Sequence, residues 1–146
     1  MRGLCLYGIL MLATGCSHLE AKRNDPMAEE TFKLHPIGTV QREGDHTYIV
    51  LEKEYAPGLM GLDQFSYVTV VYWFHLNDTP EKRAVLQVHP QGNKANPMRG
   101  VFATHSPVRP NLIAISRCRI LAIKDNVVEI DSIDAFTGTP VLDLKN

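Results

Sequence analysis

The segment GVFATHSPVRPN at residues 100–111 concentrates binding chemistry in one short stretch. Thr104, His105, Ser106, Arg109 and Asn111 supply donors and acceptors, while Pro107 and Pro110 fix the backbone torsions around Arg109. Such a combination suits a rigid, preorganised binding loop; a purely structural loop needs fewer functional groups. A second segment, TGTPVLDLK at residues 137–145, reads as a turn followed by a strand that carries Asp143 and Lys145 on one alternating face.

The standard catalytic constellations are missing. His18, His35, His46, His75, His89 and His105 are scattered without H-E-x-x-H or paired-cysteine spacing, so a metal is not expected and zinc would require distant convergence. Cys118 lies in an apolar run and reads as a small buried hydrophobe rather than a nucleophile. There is no G-x-S-x-G, no Walker loop and no G-x-G-x-x-G, which removes sequence support for common hydrolases, nucleoside triphosphatases and Rossmann enzymes. No catalytic residue is assigned at this level.

Charge is polarised along the chain. The formal net charge is −1, yet Lys82, Arg83, Lys94, Arg99, Arg109, Arg117 and Arg119 stand in a stretch with no Asp or Glu. A run of cations free of acids is a candidate footprint for phosphate or RNA, although acids from elsewhere in the fold could pair with some of them.

The elements that must position these residues are strands. Length fits one domain, and 45% apolar residues suffice for a core. Short Val-, Ile-, Tyr- and Phe-rich runs separated by Gly, Pro, Asn and Asp predict strands over 34–41, 46–52, 66–76, 83–88, 100–103, 113–123, 127–133 and 141–144. Residues 54–65 hold the one expected helical turn, and Lys124-Asp125-Asn126 reads as a hairpin turn. Both faces of residues 67–74 are apolar, which predicts a central strand covered on both sides. The expected class is all-β, a small antiparallel β-barrel or a sandwich with short helical turns.

Residues 1–16 have an Arg2 n-region, an apolar h-region and small residues ahead of Cys16, the anatomy of a secretory or lipoprotein signal. Residues 17–31 read as a polar linker, and residues 32–146 as the folded domain. Two readings stay open. Translation starting near Met27 gives a cytoplasmic protein; a lipid on Cys16 gives a membrane-anchored one.

The two segments, GVFATHSPVRPN and DAFTGTPVLDLKN, together resemble the TsaA-like family, also called TrmO, of S-adenosylmethionine-dependent tRNA methyltransferases. Further matches are Pro36-Ile37-Gly38, EYAPGL at 54–59, LDQFS at 62–66 and YWFH at 72–75, so the resemblance runs through residues 32–146. It implies a small β-barrel, homodimeric, that binds S-adenosyl-L-methionine without a Rossmann fold and methylates N6 of threonylcarbamoyladenosine at tRNA position 37. The tRNA anticodon loop becomes the partner, and Lys82, Arg83, Lys94, Arg99, Arg117 and Arg119 become its phosphate contacts. Motif position carries cofactor contacts onto His75, Leu76, His105, Ser106, Pro107, Arg109, Asn111, Ile115, Asp134, Thr137, Gly138, Thr139 and Pro140. His105 stands where the family usually has Arg, and Thr137 where it usually has an acid. The rival reading is an envelope-anchored binding protein that keeps the barrel without methyl transfer.

Overall fold

Alternation of inward apolar and outward polar side chains produces six strands that close on themselves. The computed structural model describes residues 31–146, so the signal-like segment, Cys16 and Met27 lie outside what is described. Strands β1 (Gly38–Glu43) and β2 (His46–Leu51) form a hairpin. They are followed at a distance by β3 (Tyr67–Trp73), a minor hairpin of β4 (Gln87–Val88) and β5 (Arg99–Gly100), then β6 (Ile113–Lys124), β7 (Val127–Ile130) and β8 (Pro140–Lys145). The barrel order is β1-β2-β7-β6-β3-β8, every pairing antiparallel, with Gly38 opposite Val141 closing the ring. Closure leaves no unpaired edge within the barrel. The expected all-β antiparallel barrel is the fold observed.

Two positions show why the ring can close. A Cβ on Gly38 would sit 2.3 Å from the Val50 carbonyl oxygen, so only glycine allows β1 this close to β2. Facing positions on β3 and β6 also match in size: Val68 pairs with Cys118, Val70 with Ser116 and Tyr72 with Ala114. Large residues on β3 therefore fill the space that small ones on β6 leave. Val40, Ile49, Val68, Val70, Val128 and Val141 are fully buried in this core, and Leu51, Tyr72 and Ile130 nearly so.

The expected turn forms at Asp125 and Asn126, with Asp125 at φ 54°. Other boundaries differ. Trp73 ends β3 and His75–Asn77 make a 3-10 turn, so His75 and Leu76 leave the strand predicted over 66–76. Residues 83–88 are mostly not strand, because Thr79 caps a one-turn helix α1 (Pro80–Arg83) by accepting from the Lys82 amide at 3.3 Å. Within 100–103, Gly100 ends β5 and Val101–Ala103 form a 3-10 turn that sinks Val101 into the protein. Helical turns are thus more numerous than the one expected over 54–65, which itself splits into Lys53–Leu59 and Leu62–Gln64. Strand β3 has one fully buried face; on the other, Val71 and Trp73 are half-buried and Tyr67 is exposed. Among the described residues the only α-helix is one turn long, too short to cover a barrel's outer surface.

Candidate functional site

The loop after β5 is built to hold its shape. Val101 and Leu112 are fully buried at its two ends. Between them the Arg109 guanidinium donates to the carbonyls of Val101 (2.8 Å), Thr104 (2.9 Å) and Ile113 (3.3 Å), tying both limbs together. Thr104 and Ser106 accept from the amides two residues on, at 3.2 and 3.3 Å, so the polar residues of the motif bond first to their own backbone. Leu112 adopts φ 55°, a left-handed conformation that a branched apolar residue accepts only when its surroundings impose it. Arg83 clamps the loop from outside, donating to the Pro110 carbonyl at 2.6 Å and to Asp78 at 2.7 Å. That contact holds the Asp78 carboxyl below its ordinary range. The outcome is a stiff loop that leaves His105 and Pro107 exposed at its tip.

The segment before β8 is fixed to the barrel with equal economy. The Tyr72 hydroxyl donates to the Asp134 carbonyl at 3.1 Å and lies 3.2 Å from the Ser116 hydroxyl. Arg42 donates to the Ile133 carbonyl, and the Gly138 amide, at φ 85°, reaches the Val40 carbonyl at 2.8 Å. Ile133 and Thr139 are buried, so Asp134 and Phe136 are turned outward. Burial raises the pKa of Tyr72; the Ser116 hydrogen bond pulls against that, and nearby Asp134 and Cys118 add to it. Tyr72 is therefore a neutral hydroxyl, available as a donor.

Three cavities adjoin where these segments meet. One of about 400 Å³ is lined by Tyr72, Phe74, Arg109, Ile115, Ser116, Arg117 and Ile133. A second of about 260 Å³ runs past Trp73, Phe74, His75, Leu76, Ala135, Phe136 and Thr139. The largest, about 970 Å³, opens between the loop and the β4–β5 hairpin and is lined by His89, Lys94, Arg99, Ser106 and Pro107 among others. His105 and Asp134 line all three. Trp73 Nε1 and Arg109 Nε are buried donors without a protein partner among the described residues, and both side chains belong to cavity walls. Unmet donors of this kind are costly unless something accepts from them.

The fold thus gathers His75, Leu76, His105, Ser106, Pro107, Arg109, Ile115, Asp134 and Thr139 around connected cavities. Asn111, Thr137, Gly138 and Pro140 line none of them. Gly138 instead serves the backbone link to β1, which the Thr139 carbonyl shares, while Pro140 begins β8. The cations divide in the same way. Lys94 and Arg99 face the largest cavity, and Arg117 stacks on the Tyr67 ring at 4.0 Å beside the first. Lys82 donates to the Leu76 carbonyl at 3.1 Å, Arg83 is the clamp described above, and Arg119 lies exposed on β6. Sequence reading did not single out Tyr72, Ser116, Trp73 or His89 as site residues. Their roles depend on strand register and loop closure, which no local motif reveals. Among the described residues no three His, Cys, Asp or Glu side chains gather as a metal-ligating group, and no helix is long and apolar enough to cross a membrane.

Comparison with known proteins gives the family. Residues 29–146 match the tRNA-methyltransferase O N-terminal domain. The chain belongs to that family. A probable S-adenosyl-L-methionine-binding protein of Methanocaldococcus jannaschii is 45% identical over 114 residues, 78% of this chain and 90% of the relative. A rat tRNA (adenine(37)-N6)-methyltransferase is 41% identical over 87 residues, 60% of this chain but 20% of that protein. The crystal structure of TrmO from P. aeruginosa superposes with a TM-score of 0.62 at 26% identity, covering 82% of this chain and 56% of TrmO. This chain therefore spans little more than half of the solved family structure.

Proposed function

We propose that this chain is an S-adenosyl-L-methionine-dependent tRNA methyltransferase that acts on N6 of threonylcarbamoyladenosine at position 37. The observation that carries the reading is the convergence of its two motif segments, which makes His105 and Asp134 common walls of three adjoining cavities. Membership in the tRNA-methyltransferase O family, with relatives that are an S-adenosyl-L-methionine-binding protein and a tRNA (adenine(37)-N6)-methyltransferase, supports the cofactor and methyl transfer to tRNA.

The residues present suit the cofactor. Phe74, Ile115 and Ile133 give an apolar wall for a purine, and Asp134 gives an anion for an ammonium group or a ribose hydroxyl. His105 and the Nε of Arg109, which has no partner among the described residues, offer donors for a carboxylate. Such a cofactor supplies a methyl group on a sulfonium, electrophilic without a metal. The protein's task is then alignment: Arg109 stiffens one wall, Tyr72 pins the other, and both limit the freedom of what lies between them.

Lys94, Arg99 and Arg117, with Arg119 and Lys82 beyond them, form the proposed phosphate track for the anticodon loop, where a base is presented in single-stranded form. Arg83 contributes through the loop it clamps. A homodimer is part of the proposal, with exposed Leu86, Met98 and Phe102 around the β4–β5 hairpin as apolar surface for a second copy. Translation from near Met27 fits a tRNA-modifying enzyme of the cytoplasm, and intact mass of the native protein separates that start from a lipidated Cys16.

The test incubates the full chain with methyl-labelled S-adenosyl-L-methionine and tRNA carrying threonylcarbamoyladenosine, then digests the RNA to nucleosides. Labelled N6-methyl-threonylcarbamoyladenosine is the expected product. Cofactor binding without any labelled nucleoside would favour the non-catalytic binding protein.

A further inference from the structure

The largest of these cavities is lined by a histidine whose neutral tautomer is fixed by its own loop. His89 follows β4 directly, and the chain from there to β5 is bound to itself at every turn. The Gly92 amide donates to the His89 carbonyl at 3.0 Å, the Asn93 amide to Pro90 at 3.3 Å, and the Asn96 side chain to the Pro90 carbonyl at 2.9 Å. Gln91 and Gly92 both adopt left-handed torsions, φ 59° and 67°, to make that closure possible. At its centre the His89 Nδ1 lies 2.8 Å from the Asn96 carbonyl oxygen. A carbonyl only accepts, so Nδ1 carries the hydrogen, and the neutral ring has its lone pair on Nε2. The ring is half-buried and lines the same cavity as His105, Ser106 and Asp134.

We propose that His89 Nε2 is the proton acceptor of methyl transfer and that the large cavity receives the target nucleotide. This rests on the methyltransferase reading above and adds the one role it leaves empty. An exocyclic nitrogen that gains a methyl carbon must shed a hydrogen. As the nitrogen–carbon bond forms and the carbon–sulfur bond breaks, the bonding pair stays with the departing thioether sulfur, and the nitrogen's proton passes to Nε2. Lys94 and Arg99, with no ion-pair partner among the described residues, face the same space and suit the anionic groups of a nucleotide. The titratable and charged groups sharing the cavity with His89 are therefore Lys94, Arg99, His105 and Asp134.

His89→Asn separates this role from a structural one, because the asparagine amide takes the place of Nδ1–H toward the Asn96 carbonyl and offers nothing at Nε2. The expected result is unchanged S-adenosyl-L-methionine affinity by calorimetry and a fall in kcat of about a hundredfold or more, partly restored by added imidazole. A parent-like kcat in His89→Asn, or a loss confined to KM for RNA, would overturn the assignment. A second readout needs no turnover: nitrogen-15 NMR of the parent should show the Nδ1–H tautomer, with Nε2 perturbed by an anticodon stem-loop carrying threonylcarbamoyladenosine. An Nε2–H tautomer, or a ring indifferent to that RNA, would also overturn it. If the parent methylates nothing and binds no cofactor, the methyltransferase reading itself fails; if the parent is active and His89→Asn equally so, only this inference does.

Discussion

The Tyr72 hydroxyl donates to the Asp134 carbonyl across 3.1 Å, joining the inside of strand β3 to the segment that precedes β8. Those two residues are 62 positions apart in sequence, and the bond fixes the outward direction of the Asp134 side chain. Tyr72→Phe keeps the packing against Phe74 and removes only the hydroxyl. Unfolding in urea should show a loss of about 1 kcal/mol, the net value of an ordinary hydrogen bond. Cofactor affinity should fall as well, because the wall carrying Asp134 is released. Unchanged affinity with the expected stability loss would confine Tyr72 to the core.

Arg109 bridges carbonyls at positions 101, 104 and 113 with one planar group. Lysine has the charge without the fork, so Arg109→Lys satisfies at most part of this set. A lower melting temperature and faster proteolysis within residues 100–112 are expected, with stability reduced by on the order of 1.5–3 kcal/mol. Parent-like protease resistance would mean that the buried Val101 and Leu112 hold the loop without the guanidinium.

The family resemblance implies an arginine where this chain has His105, which shares all three cavities with Asp134. His105→Arg sets a permanent guanidinium on that shared wall and should tighten S-adenosyl-L-methionine binding, read by calorimetry. An affinity equal to the parent's would remove His105 from contact with the cofactor.

Barrel and motif loop were legible because they are local. The β-branched alternation over 46–51 and 127–130, and the Asp125-Asn126 turn, encode strands and a hairpin in neighbouring residues. Arg83 was not legible in its present role. It was read with the RNA-facing cations, but a cap at Thr79 starts a helix there and sends the guanidinium to Pro110, 27 residues away. Arg109 was read as a ligand contact; most of its donors go to its own loop, which spacing alone cannot disclose. Tyr72 and His89 were not legible as site residues for the same reason, since each acquires its role through a partner set by register or loop closure.

Cys118 is buried on β6, where desolvation and the neighbouring Asp131 push its thiol up from 9.0 to about 11. An acid with a raised folded pKa stays protonated in the native state while the unfolded chain already ionises. Stability should therefore fall as pH rises from about 9 to about 11, and be untouched below that window. Urea titrations at pH 8 and pH 10.5 should show a steeper loss for the parent than for Cys118→Val. Parallel losses would assign the alkaline sensitivity to another group.

Whether the space joined by His105 and Asp134 holds S-adenosyl-L-methionine is read by calorimetric titration of the full chain and of Asp134→Asn. Asparagine keeps the shape and the backbone acceptor for Tyr72 while removing the carboxylate charge. The parent should bind, and Asp134→Asn should bind about tenfold more weakly, equivalent to ~1.4 kcal/mol. No binding by the parent, or the same affinity in both proteins, would mean that this space is not the cofactor site.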